Sequence, residues 1–229
     1  IGDCMLAATD QFVQERDDHV WLTFPSVDQL TEHWSEFIRR ELAGRKARFA
    51  GALALQRRTR VFGIVRFDEN FAGLDKIGAT FVQRLRGQGV KMAAEVPYEL
   101  DLSRAQENAR LMITKLKAAH VTTVIFAGDP LTPSFLTQEA TAQQFFPEWV
   151  VLGAAYTDTS LFGRTYDQRQ WKHAFGVSTL PTPVTPHADQ LYDILVWQSG
   201  NGPEAKTFKV LVQAPLIFYT ALQLAGPQL

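Results

Sequence analysis

The sequence predicts an open α/β sheet of parallel strands with helices covering both faces. Three observations carry the prediction. Short, near-continuous apolar runs recur along the chain, as in strands buried on both sides. Between them lie segments whose apolar residues fall at helical spacing. Glycine, proline and aspartate gather where the runs stop. Strand and helix alternating in this way build a parallel sheet.

Residues 20–24 (VWLTF) read as a strand that Pro25 stops. Ser26, with Gln29 three residues on, forms a capping box. The helix it opens carries Leu30, Trp34, Phe37, Ile38 and Leu42 on one face, and Gly44 closes it. Residues 45–60 are basic and irregular. Residues 60–67 (RVFGIVRF) are a buried strand, with Asp68-Glu69-Asn70 as the turn at its end. A helix bearing Leu74, Ile77, Phe81 and Leu85 follows and ends at Gly87 and Gly89, and residues 90–96 form the next strand. Ser103 and Gln106 suggest a second capping box before a helix with Leu111, Ile113, Leu116 and Ala119. Residues 121–127 (VTTVIFA) are a third buried strand, ended by Gly128-Asp129-Pro130. A helix over 133–146, a strand over 149–152 ending at Gly153, a short helix over 160–166 and a strand over 173–178 complete the alternation. Beyond Leu180 the texture changes. Pro181, Pro183 and Pro186 make a stiff connector to two apolar helices, near 191–197 and 216–224.

Composition narrows the function classes. The 229 residues are 46% hydrophobic and 21% charged, enough to bury a substantial core, and the net charge of -1 sets up no global field toward nucleic acid or an anionic membrane. No stretch has the length of a membrane span. The one cysteine, Cys4, permits no internal disulfide; it reads as an inert thiol, or, in an exported protein, as half of a pair with a partner outside these residues. The opening Ile1-Gly2-Asp3-Cys4 is neither a translation start nor a signal peptide, so a preceding natural segment is expected. His19, His33, His120, His173 and His187 show no metal-ligand spacing, and no nucleophile-elbow, phosphate-loop, dinucleotide or zinc-protease motif occurs. No catalytic residue, cofactor or metal is therefore expected. The basic residues Arg39, Arg40, Arg45, Lys46, Arg48, Arg57, Arg58 and Arg60 lack interleaved aromatics beyond Phe49, so they read as a solvated face or docking patch and not as a nucleic-acid site.

Open parallel sheets bind ligands beyond the C-terminal ends of their strands. In this chain that rule selects 68–71, Asp129 and Pro130, and the segment from Tyr156 to Asp158.

Several segments in a particular order resemble the second lobe of leucine/isoleucine/valine-binding proteins, the type I periplasmic-binding receptors of ABC importers. They are Phe24-Pro25-Ser26 with Asp28-Gln29; RVFGIV at 60–65 leading through Asp68 to Phe71-Ala72-Gly73-Leu74; KAAHVTTVIF at 117–126 with Gly128; WVVLG at 149–153; and YTALQLAG at 219–226. The segment 43–51 resembles a longer-form branch of that family. The resemblance implies a two-lobe hinge protein: residues 1–24 ending a first-lobe segment, 25–178 forming the second lobe, and 179–229 returning to the first. The hinge strands would be 21–24 and 176–180. It implies a small polar solute (an amino acid, amide or small organic acid) held between lobes, an extracytoplasmic location, periplasmic or lipid-anchored, and a membrane permease as partner.

By that resemblance Asn70 and Phe71 line the pocket, Phe71 having core packing as its alternative. Asp129 and Pro130 occupy a cleft position; Asp129 either binds ligand or simply ends its strand as a turn residue. Relatives that bind branched-chain amino acids carry a glutamate after the fourth strand, where this chain has Gly153-Ala154-Ala155-Tyr156. Tyr156 then contacts the ligand, and Asp158 either takes the ionic role or caps the following helix. Asp129→Ala and Tyr156→Ala are expected to weaken binding and leave the fold intact. Three other readings compete: the effector-binding domain of a LacI-like transcription regulator, which needs a DNA-binding helix pair upstream; an α/β enzyme, which needs a nucleophile elbow or phosphate loop; and a fragment that binds a protein partner and no solute.

Overall fold

A computed structural model of the chain describes residues 8–17, 19–20, 22, 25–68, 74–153, 155–180, 190–200 and 213–227. The expected strand at 20–24, the turn residues Glu69 and Asn70, Phe71, Cys4 and the proline connector lie wholly or largely outside these residues.

Five parallel strands form one sheet, β1 (Phe62–Phe67), β2 (Met92–Tyr98), β3 (Thr123–Ala127), β4 (Glu148–Val151) and β5 (Ala174–Gly176), in the order β2-β1-β3-β4-β5. β3, at the centre, is buried at every position. That burial on both faces is why its sequence reads as an apolar run without alternation.

The strand side chains divide between two cores. On one face Val65, Phe67, Val124, Phe126 and Trp149 pack against Ala109, Met112, Ile113 and Leu116 of α5 (Ala105–Ala118) and Leu136 and Ala140 of α6 (Thr132–Ala142). On the other, Phe62, Ile64, Ile125 and Val150 pack against Leu30 and Trp34 of α2 (Val27–Phe37) and Phe81, Val82 and Leu85 of α4 (Leu74–Gly87). Helices on both faces are what the alternating sequence pattern requires. Among the described residues the remaining helices are α1 (Asp10–Gln14), α3 (Leu53–Gln56), α7 (Ser160–Gly163), α8 (Gln168–Trp171), α9 (Gln190–Ser199) and α10 (Gln213–Ala225).

Local signals fared unevenly. The Ser26/Gln29 capping box forms in both directions, and α2 runs on through one π-helical turn, Ile38–Leu42, before Gly44 leaves the helix at φ 74°. The Ser103/Gln106 box does not form. Ser103 donates to Asp101 from both its amide and its hydroxyl, Arg104 becomes the cap residue of α5, and Gln106 reaches Glu139 of α6. The basic segment is less irregular than its sequence suggests: Lys46 bridges Thr59 and α3 supplies one helical turn. Arg60 leaves the solvated set altogether, being buried at the foot of β1 against Glu148.

Candidate functional site

The loops after β1, β3, β4 and β5 leave from the same edge of the sheet, because parallel strands present all their C-terminal ends together. Asp129 follows β3 by two residues. Its Oδ1 accepts from the amides of Leu131 (2.7 Å) and Thr132 (2.9 Å), which open α6. Its Oδ2 accepts from the Thr132 hydroxyl (2.6 Å) and from Tyr98 Oη (2.5 Å). Asp129 is thus a helix-start carboxylate at the C-terminal edge of the sheet, and removing it frees amides that α6 cannot satisfy internally. This revises the expectation that Asp129→Ala would leave the fold untouched.

Tyr98 reaches that carboxylate from β2, across the end of β1. Its ring packs edge-on against Phe67 and stacks with Phe126. A Cβ on Gly128 would lie 2.1 Å from Tyr98 Oη, so the phenol's path requires glycine there. Burial, then the neighbouring Asp129 charge, pushes the Tyr98 phenol well above its ordinary range.

Tyr166 joins the β3 and β4 loops. Its hydroxyl donates to the carbonyl of Pro130 (2.7 Å), and its ring stands edge-on to Trp171 at 4.5 Å. Burial foremost, then the charges of Asp129 and Asp158, raises its phenol as well. Both candidate carboxylates therefore act on one buried tyrosine.

The loop after β4 is tightly wound. Gly153 (φ 66°), Ala155 (φ 49°) and Tyr156 (φ 60°) all adopt left-handed backbone, which costs non-glycine residues energy. A Cβ on Gly153 would meet the Val177 carbonyl at 2.8 Å. The Tyr156 carbonyl accepts from the amide and hydroxyl of Thr159, fixing the approach to α7. Asp158 does not act as its side-chain cap: Thr159 is the cap residue. Instead Asp158 Oδ2 accepts from Ser178 Oγ, after β5, and its Oδ1 is buried with no hydrogen-bond partner among the described residues. A buried carboxylate oxygen without a donor is costly, and an N–H or ammonium group brought to it gains a charge-assisted hydrogen bond.

The structure thus brings Asp129, Pro130 and Asp158 together through Tyr166, with half-buried Tyr156 heading the turn into Asp158. Asn70 and Phe71 lie outside the described residues. Sequence reasoning missed Tyr98, Tyr166 and Ser178. Tyr98 was within reach: β2 runs two residues past Val96 through Pro97, which an edge strand tolerates. A shallow depression of about 490 Å³ beside the same edge, lined by Asp68, Pro97, Tyr98, Arg104, Asn108 and Lys115 among others, shares only Tyr98 with this group. Among the described residues no cluster of His, Cys, Asp and Glu has the makings of a metal site.

No protein-family model matches the sequence, and no curated protein does. Solved structures do. An ABC transporter substrate-binding protein from Desulfitobacterium hafniense superposes with a TM-score of 0.52 at 10% identity over 88% of this chain. A putative branched-chain amino acid ABC transporter protein from Silicibacter pomeroyi gives 0.54 at 12% identity over 92%. A fatty acid ABC transporter substrate-binding protein from Thermomonospora curvata gives 0.52 at 11% over 81%. The chain has the type I periplasmic-binding fold. It spans about half the length of these structures, 51%, 50% and 43% respectively. The five-stranded sheet with helices on both faces is a single lobe of that fold. Among the described residues of this type I lobe, no helix is long and apolar enough to cross a membrane.

Proposed function

We propose that this chain is the second ligand-contacting lobe of an extracytoplasmic solute receptor, without catalysis of its own, that delivers a small polar solute to an ABC permease. In this reading residues 25–178 form the lobe, 1–24 bring the chain in from a first lobe, and 179–229 return to it. The observation that carries the reading is the meeting of the β3, β4 and β5 loops around Tyr166, Asp158 and Ser178 on one sheet edge. A ligand bound there and to a second lobe favours closure by its differential affinity for the closed form. The Asp158 Oδ1, without a partner among the described residues, suits a solute with an ammonium, amidine or amide N–H.

The test is a thermal-shift screen of the full-length protein against amino acids, amides, urea and short-chain and aromatic acids. A solute at about a hundred times its Kd adds about 2.7 kcal/mol of stability. N–H-bearing solutes are expected to raise the melting temperature, and Tyr156→Ala is expected to reduce the shift. A panel without any shift, or hits that Tyr156→Ala and Asp158→Ala both leave unaltered, removes the site from this edge.

A further inference from the structure

The opposite end of the sheet carries a second surface. The loop over 43–59 packs at the N-terminal ends of β1, β4 and β5 and is held firmly. Glu148, fully buried, accepts from the Phe49 amide (2.8 Å) and from Arg60. Ala47 and Ala50 are fully buried, and the Ala52 amide donates to the Phe146 carbonyl. Phe49 packs on Phe175 at 4.8 Å.

The outer side of this anchored loop has no evident role in folding. Lys46, Arg48, Arg57 and Arg58 are exposed and, among the described residues, form no ion pair, whereas Arg39 and Arg40 pair with Glu36 and Arg45 with Glu41. Within the same loop Phe49 and Leu53 are 55% and 71% exposed. The one loop thus carries four exposed cations that, among the described residues, form no ion pair, together with two exposed apolar side chains, in a chain whose net charge is only -1.

We propose that this loop docks the protein on an anionic lipid surface, with Phe49 and Leu53 entering the headgroup boundary and Lys46, Arg48, Arg57 and Arg58 resting on lipid phosphates. A bilayer offers phosphate and then acyl chain with increasing depth, and it accepts cations at any lateral spacing. An acidic protein would have to match both the cation pattern and the two apolar groups. The geometry also suits a receptor: the loop sits at the N-terminal ends of β1 and β4, so docking there leaves the C-terminal edge free.

Vesicle co-sedimentation of the full-length protein tests this, using phosphatidylcholine alone and phosphatidylcholine with about one third phosphatidylglycerol. The protein is expected to pellet with the anionic vesicles only, and less as salt rises. Replacing Lys46, Arg48, Arg57 and Arg58 together by glutamine is expected to weaken partitioning at least about a hundredfold, at about fivefold per cation. Leu53→Ser should weaken it several-fold. Should the quadruple variant melt early, Arg57→Gln with Arg58→Gln carries the same test at about twenty-five-fold. Failure to bind anionic vesicles, equal binding to both vesicle types, or unchanged binding by the glutamine variants overturns the proposal. So does capture by polyglutamate without vesicle binding, which would assign the loop to an acidic protein.

Discussion

Glu148 and Asp158 flank one strand, ten residues apart in sequence and at opposite ends of the sheet, and they are treated in opposite ways. Glu148 opens β4 with no exposed side-chain surface, and both oxygens are filled: Oε1 by the Phe49 amide and Arg60, Oε2 by Arg60 and the Thr123 hydroxyl. Asp158 follows the same strand at its far end, with one oxygen on Ser178 and the other buried and, among the described residues, unmatched. A charge that serves the fold is fully satisfied within the fold, because a buried ion costs more than its pairing returns unless every lone pair finds a donor. A charge left half-satisfied is one the fold does not need in that state.

The contrast is broken most directly at Glu148. Glu148→Gln leaves the Arg60 guanidinium buried without a counter-charge and takes one acceptor from the group formed by Phe49 and Thr123. Denaturant unfolding is expected to show a loss of about 3–5 kcal/mol. A loss under about 1 kcal/mol, the range of exposed ion pairs, would mean that water reaches Arg60 and that the two ends of the sheet do not differ in kind.

The tyrosines beside the site give the next largest effect. Tyr98 and Tyr166 both have raised phenols, so their neutral forms are favoured in the folded protein relative to the unfolded chain, where the ordinary value is 10.0. Stability from each is fully present below pH 10.0 and falls as the pH rises above it, because only the unfolded state then loses protons freely. The expected slope is about 1.4 kcal/mol per pH unit for each tyrosine. Tyr98→Phe should roughly halve the alkaline slope. An unchanged slope in that variant would show that Tyr98 is not sealed against Asp129.

The sheet was legible because its physics is local and periodic. Residues 121–127 had to be a buried strand, and the order of strands and helices followed from alternation alone. The Ser26/Gln29 cap was equally readable, since its donors and acceptors lie within one turn. What escaped depended on partners distant in sequence. Ser103 has the spacing of a cap yet finds Asp101 closer. Arg60 reads as one more cation in a basic run until the fold sets Glu148 beside it. At the site, Asp129, Pro130 and Asp158 were visible as strand-end residues, while Tyr98, Tyr166 and Ser178 were hidden because their significance comes only from the loops they bridge.

Asp158 itself sharpens the comparison through the smallest change in stability. Asp158→Asn keeps the shape of the side chain and an oxygen to accept from Ser178. It replaces an unmatched carboxylate oxygen with an amide, which costs less to leave buried. The variant is therefore expected to be at least as stable as the parent, within about 1 kcal/mol in denaturant unfolding. The same substitution removes the charge that an ammonium or amidine ligand would meet, so a solute found in the thermal-shift screen should bind it about tenfold or more weakly. A gain in stability together with a loss of affinity is the pattern of a residue kept for its ligand. If Asp158→Asn instead costs about 2 kcal/mol or more, Asp158 belongs with Glu148 as a member of the scaffold, and the ionic contact has to be sought elsewhere on the edge.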